Sequence, residues 1–367
     1  MDGPALSLFA CPRCGGRLDS EMACVDCAAI YEEMDGIAGL RLPGDDRTER
    51  VRGFYMEAPF PGYPPRDTID WLRARAERSH FARQLDAAIP TDAHIVEVGC
   101  GTGQMSLYLA RSKRIVIAAD LCRASLALGR AAAQRLGIDQ VRFVETDIYC
   151  PGLRAGAFDI VYCSGVLHHT PDPGKAFGEL ARLARPGGLV IVGLYNRYAR
   201  LPHRARRLVA RLSGWRWFPP DRVLADRKGQ RERHRAWLQD QYRHPEEHRH
   251  TLAELRRWFA ANGIDYVRSV PSALVGGDDQ YRALIDPEEG GWWLEDLLAQ
   301  FGWMASLGGE GGLFIAVGRA RERAADDDER QLPFFTALRA EPGSLTAHPV
   351  AVSNDSLQTG KVTPPPR

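Results

Sequence analysis

The chain has 367 residues, of which 44% are hydrophobic, and a formal net charge of +1. That is enough apolar material for one full-sized core and a small extra module, while a charge so near zero marks the molecule as a whole for neither nucleic acid nor membrane. No apolar run approaches the ~18–20 residues that span a bilayer. The N-terminus lacks the basic and apolar regions of a signal peptide, and four of the eight cysteines sit in two close pairs rather than in a disulfide framework. These features predict a cytoplasmic protein.

In chain order, residues 1–42 are short and Cys-paired. Cys11-Pro-Arg-Cys14 and Cys24-Val-Asp-Cys27 are separated by nine residues, and each pair predicts a tight knuckle. Two knuckles give four thiolates for a closed tetrahedral site, so the segment reads as a zinc ribbon with structural Zn(2+) on Cys11, Cys14, Cys24 and Cys27. Residues 43–66 are rich in Pro, Gly and aromatics and read as a linker and pocket cover. From about residue 67 to 320 the texture is α/β. DTIDWLRARAERSHFARQLDAAI predicts one amphipathic helix from Asp67. Apolar strands are expected at 94–99, 114–120, 141–147, 158–165 and 189–195, with helices between them. Gly137 is expected to close one helix, and Pro186-Gly187-Gly188 another spanning 173–185. A capping box, Thr251 with Glu254, precedes a further helix that an Asn-Gly pair stops. Strands at 266–270 and 311–320 complete the pattern.

Seven such strands imply an α/β, Rossmann-like sheet, mostly parallel and covered by helices on both faces. Insertions are placed at 197–250 and 272–310. Residues 321–367 read as a disordered tail.

The first strand ends in Glu97-Val-Gly99-Cys-Gly101-Thr-Gly103. Glycines at this junction let a ligand approach the backbone closely. The dinucleotide pattern GxGxxG would need Gly at 104, where the chain has Gln104. Asp120 ends the second strand, where a carboxylate can accept two ribose hydroxyls, and Asp147 follows the third, within reach of an adenine amino group. This ordered set resembles class I S-adenosylmethionine-dependent methyltransferases over about 67–196 and 251–319. The resemblance implies that Glu97, Gly99, Gly101 and Gly103 hold the methionine moiety of S-adenosyl-L-methionine, Asp120 its ribose and Asp147 its adenine. It extends the cofactor set to Leu121, Ile148, Ser164 and Tyr55.

After the fourth strand comes Ser164-Gly-Val-Leu-His168-His169-Thr170-Pro-Asp172, which resembles a loop of small-molecule methyltransferases related to quinone-biosynthesis enzymes. It lacks the Asn/Asp-Pro-Pro-aromatic tetrad and the Pro-Cys nucleophile of base-modifying relatives. Methyl transfer to a hydroxyl or carbon acid needs a proton removed, and His168 and His169 are the candidate general bases beside plain proximity catalysis. The segment Phe54–Tyr63 resembles an aromatic-proline cover over the cofactor; packing on the core is the other reading. The ribbon resembles that of the small zinc-binding activator of tRNA methyltransferases, with Ala28 where the first knuckle has Gly15.

Between 197 and 235, thirteen Lys/Arg face three acids. Such a stretch suits RNA phosphates, an anionic lipid surface or an anionic substrate, or it is a solvated helical pair. His244, His248 and His250 give no convincing metal pattern, since Pro245 interrupts the helix they would need. The expectation is therefore a methyltransferase acting by in-line displacement on an O or C atom of a small, hydrophobic acceptor. RNA is the alternative partner, and an inactive cofactor-binding zinc-ribbon adaptor the reading from another class. The tryptophan-rich insertion 272–310 is expected to wall the acceptor pocket. The oligomeric state is left open.

Overall fold

The computed structural model describes residues 5–57, 62–64, 67–221, 224, 238, 241–242, 246–274, 282–288, 292–307 and 311–322. The N-terminal segment forms a small hairpin, β1 (Glu33–Met34) and β2 (Ile37–Gly39). Helix α1 (Asp46–Glu57) follows, its first turn capped by Asp45, whose Oδ1 accepts the Thr48 N–H at 2.7 Å.

Two helices come next where one was expected: α2 (Ile69–Ala76) and α3 (His80–Ala88). The reason is local. Thr68 caps α2 by accepting from Trp71 N, and Ser79 caps a fresh helix by accepting from Ala82 N. A serine that satisfies a new set of free N–H groups offers the chain an alternative to continuing the old helix.

The alternating unit then runs β3 (His94–Val98), α4 (Gln104–Leu109), β4 (Ile115–Asp120), α5 (Arg123–Leu136), β5 (Val141–Glu145) and β6 (Phe158–Ser164). It continues through α6 (Pro173–Leu183), β7 (Ala184–Tyr195), α7 (Leu201–Leu212), α8 (Leu252–Ala261), β8 (Ile264–Val270), α9 (Trp293–Ser306) and β9 (Leu313–Ala320). Gly137 closes α5 in the left-handed conformation, and Thr251 caps α8, as their positions predict. Helix α6 stops at Leu183, because residues 184–188 already belong to the bulged start of β7.

Among the described residues the sheet has nine strands, in the order β1-β2-β5-β4-β3-β6-β7-β9-β8. The seven from β5 to β8 are the Rossmann-like sheet expected; β9 alone runs antiparallel to its neighbours β7 and β8. The strand alternation separates two apolar layers. Val96 and Val98 face α6 and α8, while Ile95 faces α3, α4 and α5.

The two further strands come from the ribbon. β2 pairs in parallel with β5, with Ala38 opposite Val144. Leu8, Phe9, Leu18 and Met22 join the same buried cluster as Val144 and Phe177. The ribbon therefore shares the core of the sheet instead of keeping a separate one. A segment of this size buries too little apolar surface alone, and the sheet edge supplies the rest.

Candidate functional site

The parallel strands β3, β4, β5 and β6 all end on one edge, where their loops enclose a cavity of about 320 Å³. That lies at the lower end of the range of small-molecule sites, roughly 300–1,000 Å³. Its floor is the 99–103 loop between β3 and α4. Gly99, Gly101 and Gly103 all take positive φ, at 75°, 56° and 78°, which side chains resist. A Cβ on Gly99 would come within 2.1 Å of Val166, so the close approach of loop and β6 turn also needs glycine there.

Asp120 holds this floor. Its Oδ2 accepts the Gly101 N–H at 2.7 Å and its Oδ1 the Cys122 N–H at 2.8 Å. Burial raises its pKa, and the backbone donors pull it back down. Each oxygen keeps a lone pair for a ligand hydroxyl. Asp147 is built alike: its Oδ1 accepts the Tyr149 N–H at 2.9 Å, and burial raises its pKa. Glu97 is buried beside the loop and accepts from the Ser106 hydroxyl. Burial pushes its carboxyl up to about 7 against that hydrogen bond.

Glu97, Gly99, Gly101, Asp120, Leu121, Asp147, Ile148, Ser164 and Tyr55 all line the cavity, and so does His169. Gly103 does not; it turns the chain into α4. The adjacent histidines part company. His168 is fully buried, stacks on Tyr195 at 3.8 Å between ring centroids, and accepts the Tyr195 N–H through Nδ1 at 3.3 Å. It is therefore a packing residue away from the cavity. His169 lies 2.7 Å from the Glu246 carbonyl through Nδ1. A carbonyl only accepts, so Nδ1 carries the proton and Nε2 is the basic nitrogen of the neutral ring.

Sequence reasoning placed a cover over 43–66 and named Tyr55, but missed that α1 forms this wall and that Thr48, Val51 and Arg52 belong to it. Thr48, Val51, Arg52 and Tyr55 line the cavity from one face of that helix. Their spacing of three or four residues, behind the Asp45 cap, is the signal that could have found it. Arg52 also pairs with Glu145 at 3.5 Å, at the end of β5. Phe60 lies outside the described residues. The expected wall from 272–310 is not found among them: Trp292, Trp293 and Phe301 are exposed, and Trp303 is in the core. An amphipathic helix whose apolar side faces outward reads in sequence just as one whose apolar side faces a pocket.

In the N-terminal segment the four cysteine sulfurs lie within 4.8 Å of one another. Cys14 and Cys24 are 3.4 Å apart, and Cys11 and Cys27 3.6 Å. A tetrahedral site with Zn–S of about 2.3 Å needs sulfurs about 3.8 Å apart, so the group fits zinc. The two knuckles superpose in kind: Gly15 N–H bonds to the Cys11 carbonyl at 2.7 Å and Ala28 N–H to that of Cys24 at 2.9 Å. Both residues are left-handed, so Ala28 accepts the strain that Gly15 avoids. The Tyr31 hydroxyl lies 2.9 Å from the Cys11 sulfur. Burial raises the Cys11 thiol, but this hydroxyl and the backbone N–H groups of the knuckle outweigh it and bring it to about 7.

The strand order and the glycine-and-acid site at the strand ends define a class I methyltransferase fold. The Methyltransferase domain family matches residues 96–192, the stretch that runs from β3 to β7 and carries the glycine loop, Asp120 and Asp147. The chain is 28% identical over 274 residues to an uncharacterized protein of a Synechococcus species, covering 65% of each chain. To the ubiquinone biosynthesis O-methyltransferase of Cronobacter sakazakii it is 34% identical over 106 residues, covering 29% of this chain and 44% of that protein. The chain thus spans less than two thirds of the length of either relative. Among solved structures, the magnesium protoporphyrin IX methyltransferase of Synechocystis PCC 6803 aligns with a TM-score of 0.43 at 15% identity, over 75% of this chain and 100% of that one.

Proposed function

We propose that the chain is a methyltransferase that uses S-adenosyl-L-methionine to methylate an O or C atom of a small, hydrophobic acceptor. The observation that carries this is convergence. Three acids from three strand ends, the glycine loop and a histidine whose Nδ1 is held by a backbone carbonyl meet in a single cavity. The ubiquinone-pathway O-methyltransferases that the chain matches support the small-molecule class.

When bound, the cofactor supplies a methyl group on a sulfonium leaving group. Asp120 is placed to accept from ribose hydroxyls while fixing the loop, and Asp147 to accept from the adenine amino group. Glu97 faces the methionine end with a carboxyl that ionises fully once a cation sits beside it. Val51, Val166 and Pro171 give the cavity apolar lining that excludes water. His169 Nε2 takes the proton of an acceptor hydroxyl or carbon acid as that atom attacks in line. Zinc on the four cysteines stabilises the ribbon and, through β2, the β5 edge. A closed four-thiolate site has no open position for catalysis.

The test is incubation with methyl-labelled cofactor and fractionated extract, with label counted separately in lipids and small molecules, RNA and protein. Label in the organic-soluble fraction is expected; label in RNA alone would defeat the acceptor assignment.

A further inference from the structure

Two helices on the molecule expose apolar faces that nothing in the methyl-transfer site uses. In α7 the side facing the core carries His203 and Ala210, both buried. The opposite side carries Leu201, Leu208 and Leu212 at helical spacing, with Leu208 57% and Leu212 79% exposed. Trp217 lies exposed just beyond the helix. In α9 the outward residues include Leu298 and Phe301, and Trp293 at its start is 71% exposed. The Phe301 ring packs 4.8 Å from that of Tyr198, just before α7, so the two faces adjoin.

The charges along the α7 segment have one sign, whereas α9 carries Glu295, half-buried, and Asp296, which pairs with Arg256. Residues 196–220 contain seven arginines and no Asp or Glu. Arg200 and Arg207 turn inward to Glu247, each at 3.1 Å. Arg204, Arg211 and Arg216 are solvent-exposed. Arg204 and Arg211 flank the leucine stripe at a helical spacing of seven. Among the described residues no helix is long and apolar enough to cross a membrane.

We propose that α7, together with the outer face of α9, seats this protein on the surface of an anionic lipid bilayer. An interfacial helix has an outward apolar face, a basic flank and aromatic rings at the edge, because acyl chains take up the leucines while headgroup phosphates pair with arginine. RNA would satisfy the arginines and leave the leucines in water. The placement is functional as well. β7 ends at Tyr195 opposite the start of β9 at Leu313, so both insertions leave the sheet at the edge that holds the cavity. A lipophilic acceptor dissolved in the bilayer would then meet the site from the membrane side. This last point rests on the methyltransferase reading; the docking itself does not.

The experiment is flotation of the full chain with phosphatidylcholine vesicles, with and without phosphatidylglycerol, in the absence of cofactor. Binding to the phosphatidylglycerol vesicles is expected, weakened but not abolished by salt. Leu208→Glu/Leu212→Glu and, separately, Arg204→Glu/Arg211→Glu should each lower the partition coefficient by about tenfold or more. Failure of the unsubstituted chain to float would overturn the proposal, as would floating unchanged by both variants. A large loss of melting temperature in the leucine variant would also overturn it, since the face would then be covered within the chain. Salt-sensitive binding to polyuridylate that survives the leucine variant, without vesicle binding, would assign the surface to RNA. Because no methyl transfer is read, failure here leaves the methyltransferase reading intact.

Discussion

The Nδ1 of His169 lies 2.7 Å from the backbone carbonyl of Glu246, a residue 77 positions further along the chain. That bond fixes the tautomer of a ring that lines the cavity. Glu246 is itself anchored, since Arg47 of α1 reaches its carboxylate with two nitrogens at 3.1 Å each. Cavity wall, histidine and backing segment thus form one connected unit.

His169→Gln should therefore lower the transfer rate by about 10²–10⁴-fold and leave cofactor affinity unchanged. His168→Ala should do the reverse: it empties a buried site against Tyr195 and costs about 2–4 kcal/mol of stability. Single-turnover label transfer and a thermal melt on both variants separate the roles. Equal rates for His169→Gln and the parent would remove it as the base.

Asp120→Ala removes both a ligand acceptor and the anchor of the Gly101 and Cys122 N–H groups. Calorimetric affinity for S-adenosylmethionine should fall by about 1–3 kcal/mol. Asp120→Asn keeps an acceptor oxygen and should recover part of that loss. Unaltered affinity in the alanine variant would unseat the cofactor assignment.

Glu97 gives a pH dependence. An unfolded glutamate ionises near 4.5, while in the fold burial lifts this one to about 7. Between those values the native state holds the extra proton, so the stability linked to Glu97 is present below about 4.5 and is lost as pH rises through about 7. A cationic methionine moiety favours the ionised form. Cofactor affinity should therefore rise from pH 6 to 8, with proton release seen as a buffer-dependent binding enthalpy. Glu97→Gln should flatten the profile, and a parent already flat over this range would refute the assignment.

Metal analysis should find one zinc per chain, absent from Cys11→Ser/Cys24→Ser. Because β2 pairs with β5 and the ribbon shares the main core, zinc removal should lower a single melting transition by roughly 5 °C or more. Two separate transitions, with the cofactor-binding one unmoved, would show that the ribbon folds independently.

Some of this architecture is written locally. β3 to β6 announce themselves because strands buried on both faces are apolar throughout. The glycines and Asp120 and Asp147 can be placed because strand ends and turns are short-range features. The paired cysteines foretell two knuckles by spacing alone, and their sulfurs do cluster. Other features depend on which distant segment meets which, and periodicity gives a burial pattern without naming the partner. β2 joins β5 across more than a hundred residues, so nothing near Ile37 foretells that the ribbon extends the sheet. His168 and His169 are adjacent and chemically identical, yet one turn of the chain sends the first under Tyr195 and the second toward the cavity. In α9 the half-exposed Phe301 and the buried Trp303 stand two residues apart in one apolar run. Only packing against the sheet decided which apolar surface is core and which is left facing solvent.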